Sequence, residues 1–145
     1  MDIAAPIIAA VVGIALLALA IAHLLWSVGI NWPIRDPRLL AQTVVGTPGI
    51  ERLPKAMSFG VFLITGAACI IAFAVADPSS GGAPLTALAA FCAVIFLARG
   101  AVGFTAGWEA RTPEEPFRSL DRKTYSPLCL GIGAGFVILV IARFV

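Results

Sequence analysis

Four long apolar runs separated by short polar connections set the pattern of this chain. They cover residues 4–28, 55–76, 84–106 and 125–145. A helix needs roughly 20 mostly apolar residues to cross the hydrocarbon of a bilayer, so each run predicts one spanning helix. The boundaries carry their own signals. Pro54 precedes the second run and Pro84 opens the third. Ser126 and Pro127 predict an N-cap and a first-turn proline for the fourth. Residues 77–82 form a turn-rich link too short for a domain. The expected architecture is all-α: one integral membrane four-helix bundle over residues 1–145, with short interfacial helices in the two longer connections.

Those connections are patterned as well. Asp36 followed by Pro37 predicts a capped helix start, and Gly46 its stop. Leu40 and Val44 lie four apart, on a face that could dip into the interface. In the later connection, Thr112, Pro113 and Glu115 read as cap, first-turn proline and reciprocal acid of a capping box. Phe117 and Leu120 would face the membrane, while Arg118, Arg122 and Lys123 would meet anionic headgroups at about 1 kcal/mol each.

Composition agrees with hydrocarbon as the solvent. The chain is 60% hydrophobic and 12% charged, about half the charge of a soluble domain. A net charge of +2, placed between spans, gives nucleic acid nothing to bind. Charge placement predicts orientation. Arg35, Arg38, Arg52, Lys55, Arg111, Arg118, Arg122 and Lys123 all fall in the first and third connections, whereas the opposite side has only Arg143. Eight bases against one predict cytoplasmic basic connections, with both termini and the 77–82 turn outside. A cleaved signal peptide is the rival reading of the first run. Met1, Asp2 and Ile3 lack the required basic residue, and the run exceeds a typical signal core, so an uncleaved span is expected.

Few polar groups lie inside the spans. Arg99 sits in the third run, where a mid-membrane charge costs at least about 2.5 kcal/mol. It either snorkels to the inner interface or holds an anion. His23, the single histidine, is followed at i+3 by Trp26, and Trp32 with Pro33 ends that helix. The alternatives are a neutral imidazole bonded to a carbonyl beside an aromatic belt, or a functional acid or base. With the predicted topology, His23, Arg99, Asp121, Tyr125 and Cys129 share a depth near the inner interface. Asp121 could pair with Arg99, and Tyr125 could hydrogen-bond across the mouth. Cys129, in the first turn after Ser126, is the best nucleophile candidate; Leu128 and Leu130 favour an inert packed thiol. Ala68, Ala72 and Ala76, the pair Gly103 and Gly107, and the pair Gly131 and Gly135 have the spacing of close helix contacts.

Counting narrows the chemistry. One histidine excludes a haem held by two histidines of this chain. The three cysteines lie in apolar runs without zinc-ligand spacing, so no metal is expected. The membrane core has no carboxylate for a proton relay, and Ser126, His23 and Asp121 come without a GxSxG motif.

The run His23-Leu24-Leu25-Trp26, then Gly29 and Trp32-Pro33, then Arg99 with Gly103-Phe104, then Leu120-Asp121-Arg122 and Tyr125-Ser126-Pro127-Leu128-Cys129-Leu130, resembles a bacterial family of small four-span membrane proteins. It is known only as the domain of unknown function 3995 family. The resemblance covers nearly the whole chain and implies four helices in a bacterial inner membrane, with no established activity. Three functions remain in play. The first is a non-enzymatic accessory or scaffold subunit, or a lipid-binding protein, with membrane lipids, other subunits or a second copy as partners and bound lipid in place of a cofactor. The second is a small enzyme or carrier for an anionic amphipathic ligand at the cytoplasmic leaflet. Transport ranks last, because no discontinuous helix pair is evident.

Overall fold

The computed structural model describes residues 3–145. Met1 and Asp2, on which the expectation of an uncleaved first span drew, lie outside the described residues. Every regular element among the described residues is helical: α1 (Ala4–Ser27), α2 (Pro37–Val44), α3 (Lys55–Val75), α4 (Gly82–Val102), α5 (Ala106–Arg111), α6 (Phe117–Leu120), a π segment (Asp121–Tyr125) and α7 (Ser126–Ile141). Among the described residues, four helices are long and apolar enough to cross a membrane: Ala4–Ser27, Lys55–Val75, Gly82–Val102 and the continuous stretch Phe117–Ile141.

The outside of the bundle is as apolar as its inside. On α1, Ala9, Val12, Gly13, Leu16 and Ala20 are buried at helical spacing, while Ile7, Val11, Ile14 and Leu17 are exposed. On the other helices Ile70 is 72% exposed and Val94 64%. Water would penalise each such side chain by about 1.5–3 kcal/mol relative to burial, so this surface suits lipid better than water. Inside, α1 packs most extensively on α3, and α4 on α7. The two pairs meet about equally through α1 with α7 and α3 with α4. Small residues permit the approach, since lipid supplies no hydrophobic force between helices. Gly100 lies against Leu130 and the backbone of Ser126, Gly133 against Leu97, and Gly135 against Val12. Phe96 stacks on Phe136 with centroids 6.3 Å apart.

Several boundaries differ from those expected. The third span stops at Val102 rather than residue 106, because Thr105 leaves the helix and caps α5, its hydroxyl accepting the Trp108 N–H at 3.3 Å. The fourth helical run begins at Phe117, and its helix ends at Ile141. Ser126 is therefore inside a helix and caps nothing. Pro127 lacks the N–H of a normal helical register, and the preceding turn widens: Ser126 N–H bonds to Asp121 O in the i→i−5 pattern of a π segment. The expected capping box is also absent. Thr112 ends α5 instead, donating its hydroxyl to Trp108 O at 2.9 Å.

The first basic connection follows its pattern at both ends. Asp36 accepts the N–H groups of Arg38 and Leu39, and Gly46 adopts φ +67°. Leu40 and Phe117 are not at a lipid interface, however. They are 1% and 3% exposed, because α2 docks on α6 and covers the end of the bundle. Gly46 lies directly against the Phe117 ring, so a side chain there would collide with it as well as strain the backbone.

Candidate functional site

Arg99 occupies the last turn of α4, where the helix dipole favours a cation. Its Nη2 donates to Asp121 Oδ1 at 2.7 Å, and its Nη1 reaches Ser126 Oγ at 3.4 Å. The guanidinium carbon lies 4.9 Å from the centre of the Trp108 ring, within cation–π range. Trp108 Nε1–H donates to the second carboxylate oxygen of Asp121 at 2.9 Å. Asp121 is 2% exposed, so its charge is stable there only because both oxygens are served. Among the described residues no buried side-chain nitrogen or oxygen lacks a partner. The cluster joins α4, α5 and the π segment, closing the connection of residues 103–125 back onto the helix it leaves. On its far side Glu109 pairs with Arg118 and, at 3.8 Å, with Arg122.

The remaining candidates separate into two groups. His23 accompanies Arg99. Both line a cleft of about 230 Å³ with Trp108, Ser58, Val61 and Met57. His23 Nδ1 is 2.9 Å from Leu19 O, one turn back, and its ring lies 4.7 Å from that of Trp26. Tyr125 and Cys129 do not line that cleft. Tyr125 donates its hydroxyl to Thr43 O at 3.1 Å, fastening α2 to the π segment. Cys129 packs half-buried against the apolar core. The continuous helical stretch begins at Phe117, not at the Ser126 start expected, so no helix-terminal field activates Cys129. Trp26 faces a different cavity, and its Nε1–H donates to Trp32 O at 2.7 Å, with the Trp32 ring exposed.

The glycines also divide. Gly103 and Gly135 make close helix contacts, but at Gly107 and Gly131 an added Cβ would meet nothing within 4 Å. The other tightly packed glycine of α7 is Gly133, which faces Leu97 of α4, whereas Gly135 faces Val12 of α1.

Trp108 was absent from the sequence candidates. Thr105, three residues earlier, signals the start of α5 but not the contact between Trp108 and Asp121. Among the described residues no group of three or more His, Cys, Asp or Glu side chains could hold a metal ion, and all three cysteines are free thiols.

Residues 16–136 match the family described as "Protein of unknown function (DUF3995)". The chain belongs to the DUF3995 family. The match runs from α1 to α7 and includes the cleft, Arg99, Trp108 and Asp121. No curated protein and no solved structure matches this DUF3995 chain.

Proposed function

We propose that this protein is a non-enzymatic, multi-pass lipid-binding protein of a bacterial inner membrane, holding part of a lipid in the cleft between its two helix pairs. The basic connections face the cytosol in this reading and both termini face outward, as the charge asymmetry favours. The observation that carries it is the cleft of about 230 Å³ beside His23 and Arg99. Small-molecule sites usually run from about 300 Å³ upward, so the space suits a segment of chain whose remainder stays in the bilayer. Met57, on its rim, is 61% exposed on the outer surface, which leaves the cleft a lateral entry from lipid. The walls are mostly apolar, from Val44, Leu53, Val61 and Phe117.

An enzyme or carrier reading gains little support. Arg99 is committed to Asp121, His23 Nδ1 has a carbonyl partner, and Cys129 does not line the cleft. An accessory-subunit reading is favoured by one feature, the open space at Gly60, Gly66 and Gly131. Co-purification with a partner through mild detergent would support it.

Native mass spectrometry tests the lipid reading. Wild-type protein should retain a lipid adduct after detergent exchange. Val61→Phe, which fills the cleft, should release it while leaving thermal unfolding nearly unchanged. A wild-type protein free of lipid, or equal retention by the variant, overturns the assignment.

A further inference from the structure

We propose that a second cavity, bounded by Trp26, Asn31, Arg52 and Lys55, binds the phosphate of an anionic membrane lipid. The inference rests on the lipid reading of the neighbouring cleft and names the headgroup. The cavity encloses about 220 Å³ and shares one wall, Leu53, with the apolar cleft. A phosphate in one and a length of acyl chain in the other would therefore be contiguous.

The two cations are available. Among the described residues, neither Arg52 nor Lys55 lies within 4 Å of a carboxylate. Glu51, their neighbour in the chain, forms no ion pair with either, and Asp36 is engaged in capping α2. Arg99 differs: its charge is already balanced by buried Asp121. The anion-binding role that was one of two alternatives for Arg99 thus moves to the first connection. Lys55 opens α3, so the positive end of that helix adds to its own charge. Gly29, at φ +90°, leaves space for the ammonium, since a Cβ there would sit 3.2 Å from Lys55 Nζ. Asn31 adds an amide donor, and the Trp26 ring is an amphipathic wall of the kind found at headgroup level.

The test compares wild type with an Arg52→Gln/Lys55→Gln variant in mild detergent, each offered equal phosphatidylglycerol and phosphatidylcholine and read by native mass spectrometry. Wild type should favour phosphatidylglycerol by at least about fivefold, the worth of a single basic residue near an anionic headgroup. The variant should bring the ratio near one while total adduct stays constant. A wild-type ratio near one, or an unchanged ratio in the variant, overturns the headgroup site. Loss of the cleft reading has a different signature, the absence of any adduct in wild type, and it removes the lipid-borne form of this proposal too. Excess inorganic phosphate at constant ionic strength should leave the phosphatidylglycerol adduct in place. Its displacement would overturn the lipid source in favour of a soluble phosphate.

Discussion

Gly103 and Ser126 touch with no room for a side chain between them. A Cβ built on Gly103 would overlap Ser126 Oγ and stand 2.9 Å from a carboxylate oxygen of Asp121. Ser126 is fully buried, so its hydroxyl has nowhere to retreat. Gly103→Ala should destabilise the fold by about 1–3 kcal/mol, the usual range for overpacking, and loosen the Arg99 cluster. Gly131→Ala, where a Cβ meets open space, should leave stability unchanged or raise it by up to about 1 kcal/mol through helix propensity. Thermal unfolding of both variants in the same detergent checks the contrast. Similar losses in both would show that α4 and α7 do not approach as described.

Arg99 and Asp121 are unequally exposed, at 32% and 2% of their side chains, and the cost of breaking the pair should be unequal too. Arg99→Gln leaves a buried carboxylate with only the Trp108 donor, a situation that typically costs about 3–5 kcal/mol. Asp121→Asn keeps an acceptor for Trp108 and leaves a cation that can turn outward, so it should cost less. The double variant should recover part of the Arg99→Gln loss. A double-mutant cycle on unfolding free energy measures the coupling, and additive losses would contradict a direct pair.

The apolar runs and their punctuation were legible because one solvent imposes one length, about 20 residues per crossing. The start of α2 was equally legible, since Asp36 and Pro37 act within one turn. Ser126 and Pro127 misled for a physical reason. Serine before proline has the same local signature at a helix start as at a widened turn within a helix, and only the docking of residues 117–125 decides between them. Arg99 with Asp121 was accessible from depth alone. Trp108 was not, because its role depends on the rotation of α5 against α4, which no periodicity in six residues can encode. The exposure of Gly131 and burial of Gly133 illustrate the same limit. In a helix that is apolar all round, the buried stripe is chosen by shape and not by polarity.

Asp77 should make the 77–82 turn sensitive to acid. Its carboxylate accepts the Ser79 hydroxyl at 2.7 Å, the Ser79 N–H at 2.9 Å and the Ser80 hydroxyl at 2.8 Å. These bonds, the Ser79 hydroxyl foremost, hold the carboxyl below its ordinary value of 3.8. A carboxyl depressed in the folded state adds stability above its unfolded value and loses that stability as pH falls through the folded value. The 77–82 turn should therefore stay ordered at neutral pH and open in the acid range below 3.8. Amide hydrogen exchange across the turn reads this. Asp77→Asn, which keeps one acceptor oxygen but no titrating charge, should exchange with a flatter pH profile after correction for intrinsic rates. Identical profiles would rule out a role for the carboxylate.

Arg143 holds the same turn from the other side. Its guanidinium donates to Val75 O at 3.2 Å, Asp77 O at 2.9 Å and Ser80 O at 2.7 Å, with Gly82 O at 3.5 Å. The end of α7 is thereby tied to the end of α3 and the start of α4, and the carbonyls left over at the α3 terminus gain a charged donor. Lysine can point a charge at this site but cannot present two nitrogens in a fixed plane. Arg143→Lys should therefore retain only part of the effect, and Arg143→Gln should lose about 1–2 kcal/mol, discounted from a buried charged bond because part of the site is solvated. Hydrogen exchange should quicken at residues 76–82 and at the end of α7, while amides near Arg99 keep their protection. Faster exchange throughout the bundle would mean that Arg143 supports the whole fold and not the turn alone.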